Sequence, residues 1–178
     1  TSGSNAGLGK DFSGNGNYWT TNNISVTTGS TYDSMTDVPT LTSATTANYC
    51  VVNPLDKGSV ITITDGNLTF SQSSLSAQSA RATFGMPSGK WYWEVTDLGG
   101  FHSVGIGNAS MSVFSYVGAD ANGWSYASNG YLYNNGGGPA YGTSYTTNDV
   151  IGIAFDADAL TITFYKNNVS QGTISSIT

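Results

Sequence analysis

From Lys90 to Val95 the side chains alternate: Trp91, Trp93 and Val95 fall on one face of an extended chain, Tyr92 and Glu94 on the other. A helix repeats its faces every ~3.6 residues and cannot hold that pattern, so this segment is a half-buried strand. The same grammar recurs along most of the chain. Tyr49–Val52, Val60–Thr64 and Asn67–Phe70 read as short strands, the last two joined at Asp65-Gly66. Val104–Gly107 and Val113–Val117 follow. Trp124–Tyr126 and Tyr131–Tyr133 then bracket Ser128-Asn129-Gly130, a hairpin signal. Val150–Phe155 and Leu160–Tyr165 form a second hairpin around Asp156–Ala159, with Leu160, Ile162 and Phe164 on one face. Lys166-Asn167-Asn168-Val169 predicts a tight turn, because Asn tolerates positive φ better than any residue except Gly. No segment sustains helical periodicity. Many short strands with frequent turn signals predict an all-β fold, an antiparallel β-sandwich.

A sandwich needs core material, and 22 aromatic residues among 178 supply it although only 16 residues are charged. That length holds one ordinary domain and an extension. Residues 1–47 are rich in Ser, Thr, Asn and Gly and contain Pro39, which predicts an extended lead-in or linker pinned by Phe12, Trp19, Ile24 and Val26. Residues 48–178 form the predicted sandwich. The single cysteine, Cys50, excludes an internal disulfide and reads as a small buried apolar residue. Five cations that do not cluster, set against eleven acids for a net charge of −6, argue against nucleic acid as a partner. No apolar run is long enough to span a bilayer, and Thr1–Lys10 lacks the apolar stretch of a signal peptide, so no membrane partner is expected. The chain begins without Met, as a piece of a longer protein would.

Catalysis requires groups that hold or move charge at fixed geometry. The one histidine, His102, lies beside Ser103 and five residues after Asp97. Sequence neighbours on a strand point to opposite faces, and no nucleophile elbow is present, so His102 reads as a loop residue. Glu94 and Asp97 are carboxylate candidates only by default, and Glu94 is expected to face solvent or to pair with Arg81 or Lys90. No catalytic residue is assigned, and the chain is expected not to be an enzyme. Asp156 and Asp158 have a spacing that calcium ligands use, as do Asp11, Asn15 and Asn17 more weakly, but the full loop pattern is missing. Hairpin turns favour Asp for backbone hydrogen bonding, so Asp156 and Asp158 read as turn residues, and no metal or other cofactor is assigned.

Leu98–Asn148 is the most unusual stretch, with one formal charge, Asp120, beside Phe101, Phe114, Trp124 and six tyrosines. Tyr, Asn, Ser and Gly are the mixture that recognition loops favour, and neutral glycans stack on such rings while amides bond their hydroxyls. Two readings stay open: the tyrosines pave the sandwich and the glycines turn corners, or some of them contact a ligand. For the second, Trp124, Tyr126, Tyr133 and Tyr141 supply stacking area, and Asp120, Asn122, Asn134 and Asn135 read polar groups.

Ser88–Val95, Val104–Gly107, and Asp149–Asp156 with Leu160–Asn168 resemble the SPRY family in order and spacing, and Thr62–Phe70 with Arg81–Thr83 is similar to its opening strands. The resemblance spans about residues 58–178 and implies a SPRY or concanavalin-like jelly roll that binds through the loops at one end. Family members usually carry Asn-Gly where this chain has Asn167-Asn168, and continue for another strand or two after the position of Ile174, which makes the sandwich look C-terminally incomplete. Asp11–Asn17, Asn22–Val26, Asp33–Met35 and Asn48–Lys57 resemble a block that precedes such domains in bacteriophage structural proteins. That second resemblance implies a virion-surface or tail-fibre module with other virion proteins as partners and a host-surface glycan or protein as ligand. The alternative it leaves open is a purely structural virion component. Tail fibres are commonly trimers, which would make a homotrimer, although no heptad repeat supports one.

Overall fold

The computed structural model describes residues 14–18, 20, 49–72, 76–100 and 102–177. Among these, every regular element is a strand. The largest sheet contains β5 (Lys90–Thr96), β9 (Val150–Asp156), β10 (Thr161–Lys166) and β11 (Val169–Ser175), in the spatial order β11-β10-β9-β5. A second sheet joins β6 (Ser103–Gly107), β7 (Gly123–Ala127) and β8 (Leu132–Tyr133). Two ribbons come earlier in the chain: β1 (Val52–Lys57) pairs with β4 (Ala80–Ala82), and β2 (Ile61–Thr64) with β3 (Thr69–Gln72). All pairings are antiparallel.

The alternation in β5 sets its register. Trp91, Trp93 and Val95 lie opposite Phe155, Ile153 and Ile151 of β9, so the apolar halves of both strands share one face. Ile162 and Phe164 of β10 continue that face. Tyr126 and Leu132 of the second sheet join the same core cluster, with Val104, Ile106 and Trp124 packed against it. One core between two antiparallel sheets is the sandwich expected from the strand pattern. Fully burying each Ile or Phe stabilises the fold by roughly 1.5–3 kcal/mol. The tight turn after β10 also forms: Lys166 pairs with Val169, and Asn167 and Asn168 have φ of +48° and +66°. Two positive φ values in a two-residue loop define the turn whose twist suits a hairpin.

Several local expectations need correction. The first strand begins at Val52, where Val52 pairs with Ala82, and not at Tyr49, which leaves Cys50 exposed in the preceding connection and not in the core. The β2–β3 loop runs over Asp65–Leu68, and Asp65, Gly66 and Asn67 all have positive φ. Val113–Val117 is a succession of turns. The carbonyls of Val113, Ser115 and Val117 accept from Ser79 N, Ser79 Oγ and Ser125 Oγ, so they serve single tethers and not a ladder. Leu160 is exposed in the β9–β10 turn with φ of +53°, off the face shared by Ile162 and Phe164. The lead-in anchors Phe12, Trp19, Ile24 and Val26 lie outside the described residues.

Candidate functional site

The eight residues expected to contact a ligand separate into two groups. Asp120, Asn122, Tyr133, Asn134 and Asn135 come together where the loop before β7 meets the loop after β8. Asp120 Oδ1 accepts from Asn122 N at 2.8 Å, and Asp120 O accepts from Asn135 N at 2.9 Å. Asn134 Nδ2 donates to Gly123 O at 2.9 Å, while Asn122 Oδ1 accepts from Asn108 Nδ2 at 3.2 Å. Gly136 N donates to Gly118 O at 2.9 Å, and Tyr116 OH donates to Gly136 O at 3.3 Å. The Tyr116 ring meets Tyr133 edge-on at 5.6 Å, and Asn129 Nδ2 donates to the Tyr133 hydroxyl at 3.0 Å.

These polar side chains therefore build the loops before they can read anything. A side-chain oxygen that accepts from a nearby backbone N–H replaces the ladder that a loop lacks. The result is a braced rim whose outer part, Asn135–Ala140, is exposed throughout. Tyr131 bridges to Ala140 at its base and is 44% exposed.

The other three residues turn inward. Tyr126 is 0% exposed and cannot touch an external ligand, which corrects its assignment as a contact residue. Its ring packs edge-on to Tyr141 and Tyr145 and tilted against Phe164, and its hydroxyl donates to Thr143 O. Burial, then the nearby Tyr141 and Asp149, push its phenol up to about 12. Tyr141 packs on Phe164 and donates its hydroxyl to Gly172 O, so it locks the loop onto β11. Trp124 sits on β7 opposite Ile106 and packs against the core cluster, with its Nε1 buried and without a partner among the described residues. The period-two rule carries Trp124 and Tyr126 to the same face of β7, and tertiary packing makes that face the inner one.

Asp97 and His102 do meet. Asp97 Oδ1 lies 3.0 Å from His102 Nδ1 and accepts from Gly99 N at 2.8 Å. Gly99 and Gly100, each with φ of +103°, turn the chain back to bring the pair together. The Asp97 side chain is 2% exposed, and its Oδ2 is buried without a partner among the described residues. Ser103 instead opens β6 opposite Ala127, so the three residues do not form a relay. Glu94 is exposed, one of the two arrangements expected for it, and accepts from Tyr92 OH at 2.8 Å, while Arg81 pairs with Asp56 and Lys90 with Asp156.

The paired aspartates after β9 follow the turn reading. Asp156 Oδ1 accepts from the backbone of Asp158 and Ala159, and Asp158 Oδ1 accepts from Gly89 N at 3.0 Å. Among the described residues no group of three or more His, Cys, Asp or Glu could hold a metal ion. Asp11 of the weaker calcium candidate lies outside the described residues, and Asn15 is exposed.

Comparison with known proteins agrees with this architecture. The SPRY domain model matches residues 90–177, a span that begins with β5 and takes in β11. An ATP-dependent RNA helicase DDX1 of Xenopus laevis is 30% identical over 135 residues, which is 74% of this chain and 18% of that protein. The chain thus spans less than a fifth of that relative's length. A solved stonustoxin structure superposes with a TM-score of 0.60 at 21% identity, over 71% of this chain and 23% of that one, which is a likeness of fold. Through the segment from Lys90 to Ile177 the chain belongs to the SPRY domain family.

Proposed function

We propose that this chain is a non-catalytic recognition module that grips a partner through the rim formed by the loop before β7 and the loop after β8. The observation that carries the reading is the bracing itself: Asp120, Gly118 and Tyr116 hold Asn135 and Gly136 by backbone and hydroxyl bonds, and Asn135–Ala140 stays exposed. A rim ordered in advance loses little entropy on binding. Its contact atoms would be those of Asn135 and Tyr131, with the exposed backbone of Gly136–Gly138, and such uncharged amides and rings suit a neutral glycan or a protein surface.

The virion-surface setting, with a host-surface glycan or protein as ligand, rests on the lead-in resemblance. The purely structural reading is favoured by one specific observation: Asp120, Asn122 and Asn134 spend their side chains on internal bonds. A glycan array and a panel of host-surface proteins, probed with the full chain, separate the two. Binding that is lost in Asn135→Ala with Tyr131→Ala, but kept in Asp65→Asn in the β2–β3 turn, supports recognition by the rim. A blank from folded protein supports the structural role.

A further inference from the structure

The outer face of the four-stranded sheet carries a second cluster, away from the rim. Pairing places Glu94 beside Gly152 and Gly152 beside Tyr165 in one row, and Tyr92, Ala154 and Thr163 in the next. The two small residues leave a shallow floor along β9. A Cβ on Gly152 would stand 2.5 Å from the Tyr92 hydroxyl oxygen and 3.1 Å from its Cζ, so the ring leans across the sheet where no side chain rises. It meets Tyr165 edge-on at 6.4 Å, is 55% exposed, and donates its hydroxyl to Glu94 at 2.8 Å. The result is an aromatic surface held in place beside a carboxylate.

The charge on this face is unbalanced. Of the described cations, Arg81, Lys90 and Lys166 are committed to Asp56, Asp156 and Asp149, and Lys57 donates to Ile61 O. Glu94 has no cation among the described residues, and the chain as a whole carries a net charge of −6. A ring face attracts a cation through its quadrupole, and an adjacent carboxylate adds a charge-assisted hydrogen bond. We propose that this face binds an arginine or lysine side chain from a basic segment of a protein partner, seated on Tyr92 and Tyr165 and held by Glu94. A guanidinium suits the pair best, since it stacks and donates at once. The site is independent of the rim, so the failure of either leaves the other standing.

The test uses the full chain and a fluorescein-labelled oligo-arginine peptide, with the same peptide carrying citrulline in place of every arginine as the neutral isostere. Anisotropy is read at physiological salt, which screens loose attraction to net charge. The arginine peptide should bind and the citrulline peptide should not. Glu94→Gln and Tyr92→Leu should each weaken binding by about five- to tenfold. Asp65→Asn, which removes an exposed charge from the β2–β3 turn, and Asn135→Ala on the rim should leave it unchanged. Glu94→Gln is nearly isosteric at an exposed position, and an unchanged melting curve confirms that it folds. Equal weakening by Asp65→Asn and Glu94→Gln would show attraction to net charge alone and overturn the proposal, as would binding of the citrulline peptide or no binding at all.

Discussion

Tyr126 shows how much one side chain can decide. By composition it is a plausible contact residue, yet it fills the centre of an aromatic cluster with Tyr141, Tyr145 and Phe164. Tyr126→Phe keeps the ring and removes the hydroxyl from Thr143 O, which should cost about 1–2 kcal/mol in chemical denaturation and leave rim binding unchanged. Tyr126→Ala empties a core site and should cost about 3–5 kcal/mol. The raised phenol also predicts an alkaline limit. A group whose folded pKa is raised contributes stability that is full below its unfolded value and lost as pH rises through the folded one. For Tyr126 that window runs from the ordinary phenol value of 10.0 to about 12. The melting temperature should fall across it, and the fall should be shallower in Tyr126→Phe. An equal fall in both proteins would mean that Tyr126 is not the group responsible.

Elements are held together here by turns and by one guanidinium. The β10–β11 loop needs positive φ at both Asn167 and Asn168. Asn168→Val should therefore destabilise the hairpin by about 1–2 kcal/mol, whereas Asn168→Gly should be neutral or slightly stabilising. Far-UV melts of the two variants check this, and equal stabilities would contradict it. Arg81 links three segments: Nε lies 2.6 Å from Asp56 Oδ2, the second amine donates to Asp56 Oδ1 at 3.0 Å, and Nη1 donates to the carbonyls of Asn108 and Met111. It ties the β1–β4 ribbon to the loop after β6. Arg81→Met should loosen that attachment by about 1–3 kcal/mol and raise amide exchange in residues 52–57 and 108–111, while β9 and β10 stay protected.

At the scale of the molecule, both hairpin ends of the large sheet are fastened by carboxylates. Asp149 is held below the usual carboxylate range by the Thr146 N–H and the Asn167 amide, then by Lys166. Asp156 is held low by its hydrogen bond to Lys90 and by the backbone of Ala159. A depressed folded pKa gives stability that is present above the unfolded value and lost as pH falls through the folded one. The melting temperature should therefore drop as pH falls below about 3.8, the ordinary value for both groups, and Asp149→Asn with Asp156→Asn should flatten that drop. Both groups keep some contact with solvent, so added salt should blunt the effect.

The strand pattern is legible in the sequence because the pleat turns side-chain order directly into faces. Alternation and turn residues alone specify β5, β9 and β10, the tight turn at Asn167-Asn168 and the all-β class. Spacing does not say which face of β7 is inner, because Trp124 and Tyr126 alternate with Ser125 and Ala127, both of which are also buried. It does not reveal the Asp97–His102 pair, which depends on two glycines folding a loop back on itself. Nor does it show that Asp120, Asn122 and Asn134 are spent on bracing, since a loop's backbone takes its hydrogen-bond partners from whatever segment tertiary packing brings near. Local periodicity is a property of the chain. Partners distant in sequence exist only once the two sheets have closed on one core.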